Sequence, residues 1–244
     1  MVTPRQLARP PIREALIDIQ LANQLPLPFA ELLQSKTMAG YEKKQPIKVG
    51  QVRVDLGPEV MQTQGTQELF GWRFESADGS KVIQLRRDGV GVSVIKGYRD
   101  WNQIRTIASE VWDRYIEWGN RPTVHRLATH YINVLELPLA HIDFDDYLTG
   151  APRIPEGLPQ TLNYFLERLI VPFDPPVIAI VTQALEPPTQ THVPVILDIE
   201  VRASLAEPLP SDSPKIWNIL DQLRTIKNSV FFSWVTERAL EPYK

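Results

Sequence analysis

Three short runs of residues joined by tight turns constrain the fold of this chain more than any other feature. Asp-Gly is favoured in two-residue hairpin turns because glycine adopts the positive φ that such turns require at no steric cost. The pattern therefore predicts an antiparallel meander of three strands. The runs and turns are, in order, Glu68–Ser76, Ala77-Asp78-Gly79-Ser80, Lys81–Arg87, Asp88-Gly89 and Val90–Ile95.

Five further segments place apolar residues at every second position, which is typical of strands with one buried side. Pro187-Pro188 separates the last two of these segments and predicts a second hairpin there. The predicted strands are Ile12–Ala22, Ile47–Leu56, Thr123–Leu137, Pro175–Leu185 and Val193–Ala203.

Helical periodicity is clearest in Trp101–Trp118, where apolar residues recur at steps of three and four. Asp100 is a good N-cap for this helix, and Gly119-Asn120 predicts its end. Ser213-Pro214 predicts the start of a last helix that runs to Leu240, since proline is well tolerated at the first helical position. Shorter helices are predicted at Phe29–Ala39, His141–Gly150 and Leu158–Leu169.

These elements predict an α+β fold, with a mainly antiparallel sheet or sheets and the long helices packed on one face. The order strand, helix, strands, helix occurs twice, so residues 1–122 and 123–244 can be seen as two similar β-α-β(n)-α halves of one compact unit. The two long helices share the pattern Gln-x-Arg-Thr-Ile. A duplication of one half would explain this shared pattern, and so would coincidence between amphipathic helices of similar composition.

Composition excludes several classes of protein. The chain has no cysteine, which excludes disulfides, thiolate nucleophiles and cysteine-ligated metals. Its apolar runs are far shorter than the ~20 residues that a membrane helix needs, and its N-terminus lacks the apolar core of a signal peptide. We expect a cytoplasmic protein with no membrane contact.

The charge balance gives little attraction to nucleic acid. The formal net charge is −3, with a basic first half and an acidic second half. An uneven distribution of surface charges without a functional role would explain this difference between the halves. A basic half that binds an acidic or phosphate-bearing partner would explain it too. Nucleic-acid binding is therefore possible but not favoured.

Known catalytic motifs are missing from the sequence. It has no P-loop, dinucleotide-binding glycine fingerprint, nucleophile elbow or zincin motif. His125 and His130 are five residues apart and point to opposite faces of a regular strand, so they are a poor metal pair. We name no catalytic residue, cofactor or motif-based metal site, and the chain is more easily seen as a non-enzyme.

Charged residues share one side of three predicted strands, opposite an apolar side. A solvated sheet face explains this pattern, with cross-strand charge pairs of roughly 0.2–1 kcal/mol each. A ligand-binding groove in a curved sheet is the alternative. The candidate residues are Glu14, Asp18, Arg126, His130, Asp198, Glu200 and Arg202.

The groove hypothesis gives these residues specific roles. Arg126 would bind a phosphate or carboxylate, and His130 would be the candidate general base. Glu14, Asp198 and Glu200 would hold a divalent cation through oxygen ligands.

The other side of the Thr123–Leu137 strand carries Tyr131 and Asn133 beside leucines. A buried amide without partners costs roughly 1–3 kcal/mol. We expect Asn133 to hydrogen-bond within the structure, with a ligand contact as the alternative.

The two long helices are rich in aromatic residues. Core packing explains most of them. If the helices expose part of this surface, it would suit a protein partner or self-association. The candidate partner-surface residues are Trp101, Trp118, Trp217 and Trp234.

Four segments, in this order and at this spacing, resemble a sporadically distributed prokaryotic family of proteins of about this length, to which no function is assigned. The chain departs from the usual pattern of that family at His130, where the family generally has arginine. The resemblance implies a patchy distribution, which is typical of genes in mobile, defence or toxin–antitoxin neighbourhoods. The segments are Pro10-Pro11-Ile12-Arg13-Glu14-Ala15, Gly71-Trp72-Arg73-Phe74, Gly97-Tyr98-Arg99-Asp100-Trp101 and the strand segment His125–Asn133.

Two functional hypotheses follow. The first is a non-catalytic protein-interaction component of a bacterial accessory system, such as a defence or toxin–antitoxin pair. The second is a phosphate-, nucleotide- or RNA-binding protein, or a metal-dependent phosphoryl-transfer enzyme, that uses the charged sheet face.

Overall fold

The computed structural model describes residues 6–56, 61–139, 143–174 and 176–244, with side-chain detail except at 51–56 and 61–66. Within these residues, nine strands form one antiparallel sheet in the order β2-β3-β4-β5-β1-β6-β9-β8-β7. The predicted α+β class and antiparallel sheet are confirmed. The strands are β1 Ile12–Leu21, β2 Lys43–Leu56, β3 Met61–Glu75, β4 Lys81–Arg86, β5 Gly89–Val94, β6 Thr123–Pro138, β7 Leu166–Pro172, β8 Val177–Leu185 and β9 His192–Pro210.

Four α-helices lie between and after the strands of the described part. Asp100 caps α2 as predicted, because its carboxylate accepts a hydrogen bond from the Gln103 N–H at 2.9 Å. None of the helices in the described ranges is long and apolar enough to cross a bilayer. The helices are α1 Leu27–Ser35, α2 Trp101–Trp118, α3 Lys215–Trp234 and α4 Glu237–Leu240, with short 3-10 helices at Phe144–Asp146 and Glu241–Tyr243.

The last helix is shorter than predicted. α3 stops at Trp234 because Val235 adopts an extended conformation and forms an isolated bridge with Leu148. A separate helix, α4, follows. Thr236 caps it, because its hydroxyl accepts a hydrogen bond from the Ala239 N–H at 3.3 Å.

Two predicted helices are wrong in the described part. In the described part of His141–Gly150, which leaves out His141 and Ile142, only a 3-10 turn forms. Leu158–Leu169 is irregular up to Phe165 and then enters β7, which pairs with β8. Pairing with a neighbouring strand overrides the local helical pattern here. Pro175, the predicted start of β8, also lies outside the described residues.

One face of the sheet is apolar and lies beneath the helices. Ile17 of β1 stands opposite Thr129 of β6, which in turn stands opposite Val201 of β9, and all three are buried. α2 packs on β5 and β1, whereas α3 packs on β9, β6 and β8. Both long helices therefore cover the same face, as predicted, and the charged side chains lie on the other face.

Two aromatic side chains of α2 form hydrogen bonds to other parts of the chain in the core. The Trp112 indole of α2 donates to the Ser211 carbonyl at 2.8 Å, and the Tyr115 hydroxyl donates to the Arg86 carbonyl at 2.8 Å. The predicted turn at Asp88-Gly89 places Gly89 at φ 143° beside β1. A Cβ there would overlap the Ile19 carbonyl oxygen, so only glycine allows β5 and β1 to approach closely at this turn.

The two halves of the chain contribute to the sheet in a similar order. β1 and β6 lie side by side at its centre, and each is followed outward by the last strand of its own half, β5 or β9. The halves differ because α1 and β2 have no counterpart in the second half as described. Their common origin stays a prediction.

Candidate functional site

On the charged sheet face, Asp18 and its neighbours pair with one another. Arg86 Nη2 lies 2.6 Å from Asp18, and Arg86 Nε lies 2.9 Å from Asp88. Arg126 Nη2 lies 3.6 Å from the second oxygen of Asp18. The Asp18 carboxylate is thus shared by two arginines within the protein.

A second group of charges surrounds His130. The imidazole is hydrogen-bonded with Asp198, and Arg202 lies 3.6 Å from Glu200. Burial opposes protonation of His130, but the hydrogen bond to Asp198 and the charges of Asp198, Glu200 and Glu14 outweigh it and raise the His130 pKa. The neighbouring carboxylates therefore favour the protonated form of the ring.

The seven predicted sheet-face residues do not converge on one point. Glu14 and Asp198 both stand opposite Ile132, on either side of β6. Arg126 is six residues away on the same strand, which is about 20 Å along an extended chain. No group of three or more acidic or histidine side chains in the described residues could hold a metal ion. The charged residues of this sheet face therefore form local pairs within the protein and do not form one shared site.

The predicted aromatic surface is largely part of the core. Trp101 is buried, with its indole Nε1 donating to Asp221 at 2.6 Å. Trp118, Trp217 and Trp234 are partly buried and pack against the core. These four residues therefore form no extended exposed patch.

A cavity of about 500 Å³ lies where the segment before β1, the start of α2, β6 and α3 meet. Ligand sites commonly have volumes of about 300–1,000 Å³. Three of the four segments that carry the family resemblance contribute to it. Its lining includes Pro10, Pro11, Ile12, Tyr98, Arg99, Asp100, Trp101, Asn133, Arg224, Lys227, Phe231 and Phe232.

Cations predominate among the charged groups of this cavity. Arg99 and Arg224 are exposed and lie toward solvent, whereas Lys227 is only 6% exposed. Asp100 is already used as the α2 cap. Asn133 is buried and donates to the Leu197 carbonyl at 2.9 Å, so it has the structural role that we expected while also lining the cavity.

The Lys227 amine lies against an aromatic ring and not against a carboxylate. Its Nζ is 3.8 Å from the centre of the Tyr131 ring, and no ion pair to it occurs among the described residues. Burial, reinforced by the Arg224 charge, lowers the pKa of Lys227 from the usual 10.5 to about 7. The Tyr98 hydroxyl lies 3.4 Å from that of Tyr131, and burial raises the pKa of both phenols.

Our sequence analysis gave Lys227 no role. The signal that could have identified it is its position in the apolar stripe of α3. Leu220, Leu223, Lys227 and Phe231 follow one another at steps of three and four, and all are buried. A lysine in such a stripe is a candidate buried amine.

The chain matches no family model, no curated protein and no solved structure. The family resemblance stays a prediction. The function of the cavity is therefore argued from its own geometry.

We expect Lys227→Met to raise the free energy of unfolding at pH 6, by roughly 1–3 kcal/mol, because it removes a buried amine that has no anionic partner in the described structure. The folded-state pKa of Lys227 lies below its unfolded value. Between pH 7 and 10.5 the unfolded chain binds the extra proton, so the wild type becomes less stable as the pH falls. The gain should therefore be larger at pH 6 than at pH 9, as measured by urea denaturation.

Lys215→Met is the matched control for this prediction, since Lys215 is exposed at the start of the same helix. Its effect should be small and should not follow the pH in this way. A Lys227→Met protein that is less stable than the wild type at pH 6, or a gain that is the same at both pH values, would contradict the account.

Proposed function

We propose that the protein binds a phosphate-bearing small molecule with a ring or other apolar part, such as a nucleotide, in the cavity between β6, α2 and α3. The observation that carries the proposal is the buried Lys227 amine. A buried cation is unfavourable unless an anion pairs with it. The described protein supplies no such anion, and an anionic ligand would.

The charges at the mouth of the cavity support this ligand class. Arg99 and Arg224 are exposed there and carry planar guanidinium groups, which suit phosphate and carboxylate oxygens. With Lys227 they provide three positive groups at different depths. An oxyanion that enters the cavity would meet them in turn.

The aromatic part of the cavity wall supports a ligand that is more than a bare ion. Trp101, Phe231 and Phe232 are buried residues that line the cavity, and Tyr98 is partly buried. Aromatic walls with a few placed polar groups are typical of small-molecule sites. The proposal keeps the ligand class of the second hypothesis from the sequence, but it moves the site from the charged sheet face to this cavity.

We expect the full chain to bind AMP more tightly than adenosine, because only AMP carries the phosphate that the cations would bind. Arg224→Gln should weaken AMP binding roughly 10- to 100-fold, which corresponds to about 1.5–3 kcal/mol for a hydrogen bond to a charged group. Isothermal titration calorimetry measures both effects.

Arg168→Gln is the control, because Arg168 is an exposed arginine of β7, three strands away from β6. It should leave AMP binding unchanged. Equal affinities for AMP and adenosine, or AMP binding that Arg224→Gln does not weaken, would refute the proposal.

The edge strand β7 favours a second candidate function, a non-catalytic protein-interaction component. β7 is the last strand of the sheet as described, so only β8 pairs with it. Leu166 and Ile170 are 61% and 62% exposed on the charged face, and Leu169 is 40% exposed on the other. Exposed apolar edges promote pairing with another chain.

A second copy of the chain is the simplest partner for this edge. A two-fold axis through Leu169 pairs the two β7 strands antiparallel and buries the same apolar residues of both copies. We propose that the protein self-associates in this way. Under this second candidate function, the protein would be a component of a bacterial accessory system, such as a defence or toxin–antitoxin pair.

We expect the wild type to form dimers and Ile170→Lys to shift the population toward monomers, because the new lysine would stand opposite Arg168 of the second copy, and like charges directly opposite one another are destabilising. Sedimentation equilibrium measures this shift. Leu32→Lys is the matched control, since Leu32 is an exposed leucine of α1. A wild type that stays monomeric at all concentrations would exclude self-association through β7.

A further inference from the structure

The Lys227 amine is placed as a nucleophile at the inner end of the cavity. We propose that Lys227 forms a reversible imine with the aldehyde or ketone group of an oxyanion-bearing ligand. This inference rests on the proposed anion-binding function and narrows the ligand class to phosphate- or carboxylate-bearing carbonyl compounds.

Lys227 is buried, and its surroundings differ from those of Lys43 and Lys44. Lys43 pairs with Glu75 at 3.0 Å, and Lys44 donates to three carbonyls in and just after α1. Lys227 has no such acceptor in the described structure and contacts the face of the Tyr131 ring. When the amine is unprotonated, its lone pair is therefore available to a ligand in the cavity.

Protonation is the usual obstacle to a lysine nucleophile. Desolvation and a neighbouring cation favour the neutral amine, and enzymes use both to activate lysines toward carbonyl groups. Burial and Arg224 act in this way on Lys227 and lower its pKa to about 7. A substantial fraction of the amine is then unprotonated at neutral pH.

The proposed step balances without any oxidant or reductant. The amine lone pair attacks the carbonyl carbon, and the electrons of the C=O double bond move to oxygen. Both amine protons leave with that oxygen as water, and a C=N bond forms to Nζ. Tyr98 lines the cavity and can relay one of these protons, because its hydroxyl can give a proton to the departing oxygen and take one back from Nζ.

Arg224 sets the position of the ligand relative to Lys227. The two residues are three positions apart on α3, so they lie one turn apart on the same side of the helix. Both line the cavity, with Arg224 exposed and Lys227 buried. An oxyanion bound at Arg224 leaves a carbonyl group a few bonds away within reach of Lys227.

The test uses the full chain with 4-oxobutanoate, a small carboxylate that carries an aldehyde, and sodium cyanoborohydride at neutral pH. The reductant converts any imine into a stable secondary amine, and mass spectrometry of peptides locates it. We expect Lys227 to be labelled at least about tenfold faster than the exposed Lys215, since each unit by which a pKa falls raises the unprotonated fraction about tenfold.

Three controls make the result specific. Butanal, which lacks the carboxylate, should label Lys227 more slowly than 4-oxobutanoate does. Arg224→Gln should remove most of that preference, and AMP should protect Lys227 from labelling. Lys227→Arg should lose this label, and its far-UV circular dichroism and cooperative thermal unfolding show whether the variant is folded.

The outcomes separate this inference from the proposed function. If AMP binds but Lys227 is labelled no faster than Lys215, the imine proposal is overturned and anion binding stands. If Lys227 reacts equally with both aldehydes and AMP neither binds nor protects, anion binding is overturned, and the proposal falls with it. Fast labelling that prefers the carboxylate and that AMP blocks supports both.

Discussion

The rest of the structure depends on covering one continuous apolar sheet face. Ile17, Tyr131 and Ile199 lie on adjacent central strands and are fully buried, so water must be excluded from all three strands together. α2 and α3 are the long helices that do this. Because α3 packs over β9 and β6, its residue Lys227 is buried and held against Tyr131. The cavity and its buried amine are therefore consequences of how the sheet is covered.

Charged side chains are paired on one face of the sheet, whereas the buried lysine on the other face has no charged partner in the described structure. On the open side, carboxylates and cations alternate across neighbouring strands, and Asp18 and His130 find partners within the protein. On the covered side, Lys227 is a cation with only an aromatic face beside it. Opposite charges that pair with one another are stable without a ligand. A buried cation without an anionic partner is stabilised when an anionic ligand binds beside it. This contrast is why we place the function on the covered side.

The sequence predicted the features that depend on local patterns. The meander, the central strands and α2 with its Asp100 cap follow from alternation, turn residues and capping, which act over a few residues. β7 was missed because its strand conformation depends on pairing with β8, and Leu166–Pro172 carries no alternation of its own. The cavity was missed because it joins Pro11, Tyr98, Asn133 and Lys227, which are distant in the chain. Lys227 interrupts an apolar stripe, and that signal was present but not used.

The most direct test of this account is the ionisation of Lys227 in the folded protein. An NMR titration of lysines labelled with ¹³C at Cε follows each amine separately, and Lys227→Arg assigns the signal. The account predicts one signal that titrates near pH 7 and disappears in the variant. A Lys227 signal that titrates near the ordinary value of about 10.4 would show that the amine is solvated or paired. The buried cation on which the proposed site depends would then not exist.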